Sequence, residues 1–112
     1  MDENCVFCKI AKRELPTKFL YESDGVMAFS DIKPAADTHI LIVPKQHIPT
    51  FLDIEESHKD TIVEMIKVAQ QLVVENHVAD KYRVSFNGGS LQHVPHLHWH
   101  LLGGNLKQNY DY

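Results

Sequence analysis

The stretch Pro95-His96-Leu97-His98-Trp99-His100-Leu101-Leu102 places histidines at every second position near the end of the chain. In a β-strand, side chains two positions apart share one face of the sheet. The spacing therefore predicts a strand over residues 95–102 with three histidines on one face and apolar side chains on the other. The chain has 8 histidines among 112 residues, so three of them aligned in one short segment indicate a functional surface.

Two kinds of chemistry use aligned imidazoles. Neutral histidines on a strand can hold a catalytic zinc ion that activates water. Alternatively, one imidazole fixed in a single tautomer can attack phosphorus as a nucleophile, while its neighbours stabilise the charge that develops. The spacing of the histidines alone does not separate these two readings.

Working outward from the histidine run, four more segments of β-rich and mostly apolar composition predict strands: residues 19–21, 26–29, 38–43 and 82–86. Asp24-Gly25 supplies the tight turn of a hairpin between the first two strands. Pro44 ends the third strand, and Asn87-Gly88-Gly89-Ser90 forms a turn before the histidine run.

Two segments predict helices. Between about residues 55 and 76, apolar side chains recur at three- and four-residue steps. They are Ile62, Met65, Ile66, Ala69, Leu72 and Val73. Residues 6–12 predict a short helix, and His58 and His77 are expected to be surface residues of the long one. The sum is an α+β fold, a mainly antiparallel five-stranded sheet with one long and one short helix, in a single domain over residues 1–112.

Composition excludes several classes of protein. Apolar residues make up 44% and charged residues 23% of the chain, which is the balance of a water-soluble globular domain. The formal net charge is -4, so neither nucleic acid nor a membrane is expected as a partner. The N-terminal residues are acidic and precede no apolar signal segment, which predicts a cytoplasmic protein.

Both cysteines lie in one motif, Cys5-Val6-Phe7-Cys8. In a reducing compartment such a pair is compatible with a redox couple, with half of a zinc site, or with two buried thiols. A zinc site needs two more ligands, and the spacing of this motif does not identify them.

The run His-Leu-His-Trp-His-Leu-Leu, followed by Gly103-Gly104, is similar to the His-x-His-x-His-x-x signature of the histidine triad family. Three earlier segments are similar to family segments in family order. They are Cys5-Val6-Phe7-Cys8-Lys9-Ile10, Ala28-Phe29-Ser30-Asp31-Ile32-Lys33-Pro34 and Thr38-His39-Ile40-Leu41-Ile42-Val43-Pro44-Lys45-Gln46-His47. The resemblance covers nearly the whole chain and implies the histidine triad fold.

The resemblance implies an enzyme that acts at the α-phosphate of purine nucleotides. Family members are hydrolases and transferases of nucleoside phosphoramidates, dinucleoside polyphosphates and related adducts. Position by position, His98 would be the nucleophile that becomes nucleotidylated, and His100 would hydrogen-bond the phosphoryl oxygens. His39 would complete the cluster from the neighbouring strand, and Asn87 would lie near the phosphate. A regulatory module that binds nucleotide with little turnover is the alternative.

The resemblance also implies the nucleotide pocket. Asp31 would hydrogen-bond the ribose hydroxyls, and Gln92 occupies a family glutamine position. The base would lie among Phe7, Ile10, Phe29, Ile32 and Leu41. His93 stands where many relatives have a serine or threonine whose hydroxyl bonds the leaving group; it can donate a hydrogen bond or act as a general acid, or be an exposed loop residue.

Relatives with this cysteine pair add two histidines that match His47 and His96, which implies a structural zinc ion held by Cys5, Cys8, His47 and His96. Four protein ligands leave no open position on zinc, so it would not activate water. No organic cofactor is implied. Relatives of this size form two-fold dimers, and the long helix and the strand at residues 82–86 are the expected contact surfaces.

Overall fold

A computed structural model describes residues 4–107. The chain forms a five-stranded sheet, a short helix α1 and a long helix α2. In chain order the elements are α1 (Val6–Ala11), β1 (Tyr21–Glu22), β2 (Val26–Ser30), β3 (Ala36–Pro44), α2 (Lys59–Glu75), β4 (Tyr82–Ser85) and β5 (Trp99–Leu106). Neighbouring strands are antiparallel, in the order β1-β2-β3-β5-β4. The predicted fold class is confirmed.

The sheet separates two clusters of buried side chains, because alternate residues of β2 and β3 face opposite sides. Ala28 and Ile42 belong to the cluster beneath α2, which includes Met65 and Leu72. Met27, Phe29, Leu41 and Val43 belong to the cluster beneath α1. Each fully buried side chain of this size contributes roughly 1.5–3 kcal/mol on leaving water. The second face, beneath α1, is the one that carries the candidate site.

The histidine run departs from the predicted strand at its start. Regular pairing begins at Trp99 rather than at residue 95, because the preceding residues bond elsewhere: the amide of Leu97 donates to the Ile48 carbonyl at 2.7 Å. The alternation of faces nevertheless holds, since Leu97 and Leu101 lie in the cluster under α2. His98 and His100 face the opposite side, as predicted.

Two other differences concern the start of α2 and the burial of His58. A short 3₁₀ turn, Glu56–His58, precedes α2, which is why the helix begins after the predicted residue 55. His58 is not a surface residue: it is 8% exposed, and its Nδ1 accepts a hydrogen bond from the Glu55 amide at 2.9 Å. His77 follows α2 and is exposed, as expected. None of the helices within residues 4–107 is long and apolar enough to cross a membrane.

Gly103 shows how closely β5 packs against the loop after α2. A Cβ atom built at this position would lie 2.7 Å from Val78 Cγ2. Such an approach is closer than van der Waals contact allows, so the position needs glycine for space rather than for backbone conformation. The tight fit fixes the last part of β5 and hence the strand that carries His100.

Candidate active site

A cavity of about 790 Å³ opens on the face of the sheet that carries α1. Its walls come from α1, from the segment between α1 and β1, from the end of β2, from β3 and from the histidine run. The lining residues are Val6, Phe7, Ile10, Leu15, Pro16, Thr17, Lys18, Leu20, Phe29, Ser30, Asp31, Ile32, Leu41, His93, Val94, His98 and His100. An apolar cleft with a few convergent polar groups is the usual form of a small-ligand site.

The five residues expected around a base all line this cavity: Phe7, Ile10, Phe29, Ile32 and Leu41. Phe7 connects the apolar part of the cavity with the histidines. Its ring centroid lies 5.9 Å from that of Phe29 and 5.1 Å from that of His98. Ile32 is 93% exposed and forms the rim.

Sequence reasoning missed one wall. Residues 15–18 and Leu20 line the cavity although they belong to no helix and only border β1. The one signal in the sequence is the pair of apolar residues Leu15 and Leu20 near Pro16, and both are partly exposed in the structure. Irregular segments carry no periodicity, so the sequence pattern could not place them.

His98 is held in a single tautomer by the backbone. Its Nδ1 lies 2.7 Å from the carbonyl oxygen of His96. Because a carbonyl only accepts, Nδ1 carries the hydrogen and Nε2 keeps its lone pair. Burial lowers the pKa of His98 below the ordinary value of 6.5, against the opposing effect of that hydrogen bond. His98 is therefore a neutral imidazole that lines the cavity and keeps a lone pair on Nε2.

His100 is fixed by a chain of hydrogen bonds that starts at the backbone. The amide of Ala35 donates to His39 Nδ1 at 2.9 Å, so His39 carries its hydrogen on Nε2. His39 Nε2 lies 2.9 Å from His100 Nδ1, which must then accept and leave the hydrogen on Nε2. Burial, together with repulsion from His98 and His39, lowers the pKa of His100 to about 4. These hydrogen bonds thus hold a neutral imidazole with an N–H donor beside His98, at 5.1 Å between ring centroids.

Asp31 joins the same group from the end of β2. One carboxylate oxygen accepts from the Lys33 amide at 2.8 Å, and the other lies 3.5 Å from His39 Nε2. Ligand atoms of Asp31, His39 and His100 all lie within 4.8 Å of one another, a spacing that a metal ion can also use. The Ala35 amide, however, fixes a hydrogen on the nitrogen of His39 that a metal would need. This cluster is a hydrogen-bond chain.

A second cluster lies where α1 meets the histidine run: Cys5, Cys8, His47 and His96. His96 Nε2 donates to the Pro44 carbonyl at 2.7 Å, which leaves the Nδ1 lone pair facing the thiols. That Nδ1 lies 3.2 Å from Cys5 Sγ and 3.2 Å from His47 Nδ1. Cys8 Sγ lies 3.1 Å from His47 Nδ1 and 3.6 Å from His96 Nδ1.

The set of donors fits zinc, and the distances between them lie within about 0.5 Å of those in a tetrahedral site. Tetrahedral zinc at its usual bond lengths holds two nitrogens about 3.3 Å apart, and a sulfur and a nitrogen about 3.6 Å apart. Burial lowers the pKa of His96 to about 4, so its imidazole is neutral as a metal ligand must be. The four residues could therefore bind zinc, and they would saturate it. A catalytic zinc shared by the three aligned histidines is not supported: His96 lies on the same face of the run, as predicted, but its Nδ1 is directed at Cys5 and His47, and the cluster of donors around it among the described residues does not include His98 or His100.

Two residues that were expected near the nucleotide, Asn87 and Gln92, do not line the cavity. Asn87 is half-buried after β4. Gln92 faces the backbone, because its side-chain amide donates to the carbonyls of Pro49 at 2.7 Å and Val94 at 2.9 Å. His93, by contrast, lines the cavity, and repulsion from it lowers the pKa of both His98 and His100.

Ser85 was not singled out by the sequence, yet it lies directly opposite His100 across the β4–β5 pair. Opposite residues of an antiparallel pair share a face. Among the described residues, none forms a hydrogen bond with the buried Ser85 hydroxyl. A buried hydroxyl of this kind costs free energy unless it finds a partner.

A neutral histidine with a lone pair on Nε2, a neighbouring N–H donor and an apolar cleft form the arrangement that histidine-dependent transfer of nucleotidyl or phosphoryl groups requires. A family model described as scavenger mRNA decapping enzyme C-term binding matches residues 4–111. Together with the relatives described next, the match shows that the chain belongs to the histidine triad family, as the motifs predicted.

Among relatives, the chain is 44% identical over 109 residues to the purine nucleoside phosphoramidase of Escherichia coli K12, over 93% of this chain and 90% of that protein. It is 40% identical over 107 residues to a 14 kDa zinc-binding protein of Zea mays, over 92% of this chain and 84% of that one. The solved structure of a histidine triad family hydrolase from Clostridium thermocellum has a TM-score of 0.88 and 43% identity, and covers 100% of this chain and 98% of that one. Family and site support a nucleotide-processing hydrolase.

Proposed function

We propose that this protein is a hydrolase or transferase that acts at the α-phosphate of purine nucleoside phosphoramidates or dinucleoside polyphosphates through a nucleotidyl-histidine intermediate on His98. The observation that carries the proposal is the 2.7 Å hydrogen bond from His98 Nδ1 to the His96 carbonyl. It fixes the tautomer in which Nε2 is a nucleophile without prior loss of a proton. The phosphoramidase relative from Escherichia coli supports the substrate class.

The cavity provides the binding energy and the orientation. An apolar base fits between the side chains of Phe7, Ile10 and Leu41. Asp31, whose carboxylate is fixed by the Lys33 amide, is placed to accept hydrogen bonds from ribose hydroxyls. A nucleotide held at both ends brings its α-phosphate to His98, and such positioning lowers the entropic part of the barrier.

In the first step His98 Nε2 forms a bond to phosphorus while the bond to the leaving group breaks. Negative charge grows on the non-bridging oxygens, and His100 Nε2–H donates to one of them. The chain from the Ala35 amide through His39 holds that donor in place before the reaction begins. A preorganised donor in a site shielded from water is worth more than the same donor in solution.

In the second step a water molecule attacks phosphorus and the bond to His98 breaks, which releases the nucleoside monophosphate and restores the neutral imidazole. We assign Asn87, which follows β4, to the phosphate side of the site, and Gln92 to the loop that carries His93. The amide of Gln92 fixes that loop through the Pro49 and Val94 carbonyls.

Zinc binds, in this proposal, to Cys5, Cys8, His47 and His96. When bound it supplies a cross-link between α1 and the histidine run. His96 lies two residues before His98, so the ligand set fixes the backbone carbonyl that determines the His98 tautomer. Two reduced cysteines at this site agree with a cytoplasmic protein.

A second copy of the chain covers α2 and β4 in this proposal. Ile66 was expected on the core side of α2, yet it is 45% exposed, and Tyr82 on β4 is 55% exposed. β4 is an edge strand, and no strand within residues 4–107 pairs with its outer edge. Apolar side chains beside an open edge favour a two-fold dimer with a continuous sheet.

Turnover of an adenosine phosphoramidate tests the proposal. We expect the wild type to release AMP and the amine, and His98→Asn to lose at least about a thousandfold in kcat/KM, since removal of a nucleophile leaves only binding and electrostatic effects. His77→Asn, outside the cavity, is the matched control. Nucleotide binding without turnover would instead show a regulatory module.

A further inference from the structure

His93 is the one cavity-lining histidine to which the two-step reaction gives no task. We propose that His93 protonates the departing group, so that this enzyme is built for basic leaving groups, the amines of nucleoside phosphoramidates, in preference to polyphosphates. This inference rests on the proposed function, because it assigns the proton that the first step needs.

The position of His93 is fixed although its side chain is exposed. The side-chain amide of the preceding residue, Gln92, donates to the carbonyl of Pro49 at 2.7 Å and to the carbonyl of the following residue, Val94, at 2.9 Å. The following segment is held by the bond from the Leu97 amide to the Ile48 carbonyl. A fixed backbone with an exposed imidazole can hold a proton at the cavity and exchange it with solvent. The charge of His93 is close enough to lower the pKa of His100.

The two other histidines that line the cavity, His98 and His100, already have roles in the proposed reaction. His98 donates its Nδ1–H to a carbonyl and uses the Nε2 lone pair for attack. His100 receives its hydrogen bond from His39 and directs its own N–H to the phosphoryl oxygens. Asp31 is already hydrogen-bonded as a carboxylate acceptor. Lys18 also lines the cavity, from the segment that leads into β1, and is the competing proton donor.

The chemistry balances without a further reagent. His98 Nε2 gives its electron pair to phosphorus, and the electron pair of the P–N bond goes to the amine nitrogen. The imidazolium of His93 gives that nitrogen a proton, so that a neutral amine leaves. Neutral His93 then takes a proton from the attacking water as the His98–P bond breaks. An amide anion is a far poorer leaving group than a phosphate or a nitrophenolate, so this proton matters most for amines.

The test compares leaving groups in His93→Gln. The probes are an adenosine phosphoramidate of an alkylamine and the p-nitrophenyl ester of AMP, and the readout is the rate of nucleotidyl-enzyme formation in a single turnover. We expect His93→Gln to lose about 10²–10³-fold with the amine and less than about threefold with the nitrophenyl ester, the range of general acid catalysis. Lys18→Gln and His77→Gln are made beside it.

Three outcomes overturn the proposal. An equal loss on both probes would make His93 a positioning residue, and no loss on either would leave it without a part in the reaction. A loss confined to the amine probe in Lys18→Gln would assign the proton to Lys18. If the wild type turns over neither probe, the proposed function itself fails; turnover with any of the three outcomes above leaves the proposed function intact.

Discussion

Replacing His100 by glutamine is expected to make folding less sensitive to acid. Burial lowers the pKa of His100 from its ordinary 6.5 to about 4 in the folded protein. Between these values the unfolded chain binds more protons than the folded one, so stability is present at neutral pH and is lost as the pH falls. From about pH 7 to about pH 4.5, the linkage relation gives a loss of about 2 kcal/mol from this one residue.

The assay is urea unfolding of wild type, His100→Gln and His77→Gln at both pH values. The readout is the change in the free energy of unfolding between the two pH values, and not its size at either one. The zinc ligands are the same in all three proteins, so their acid sensitivity cancels in the comparison. We expect His100→Gln to lose about 2 kcal/mol less than wild type. Equal losses in all three proteins would refute the buried, neutral state of His100.

Three further predictions concern metal, packing and assembly. Metal analysis is expected to find one zinc per chain in wild type and little in Cys8→Ser; a folded, metal-free wild type would contradict the zinc site. Gly103→Ala is expected to cost about 1–3 kcal/mol of unfolding free energy in urea, and Val78→Ala to recover part of that loss in the double variant, because the added Cβ meets Val78. Light scattering is expected to give the mass of a dimer for wild type and of a monomer for Ile66→Glu; a wild-type monomer would reject the α2–β4 interface.

The sequence predicted the sheet and its two faces because alternation is a property of the strand itself. His98 and His100 face the cavity, while Leu97 and Leu101 face α2, even though pairing begins only at Trp99. A two-residue period survives in an extended segment without ladder bonds. The family resemblance then supplied the zinc partners of the cysteine pair, since His47 lies 39 residues from Cys8 and no local pattern joins them.

Other features depend on contacts that no local pattern encodes. His58 is buried, and the side-chain nitrogen of Gln46 lies 3.4 Å from its Nε2, although its place near a helix start suggested a solvated residue. Gln92 bonds to the backbone of Pro49, which is distant in sequence. The tautomer of His100 follows from the Ala35 amide two hydrogen bonds away. Each of these requires knowing which elements meet in space.

The measurement that tests the central claim most directly is capture of the nucleotidyl-enzyme. Wild-type protein is mixed with an adenosine phosphoramidate, quenched in acid-free denaturant within the first turnover, and analysed by intact mass and peptide mapping. We predict a chain heavier by one adenylyl group, carried on His98 and absent from His98→Asn. Turnover with no adduct at any time, or an adduct on another residue, would contradict the assignment of His98 as the nucleophile.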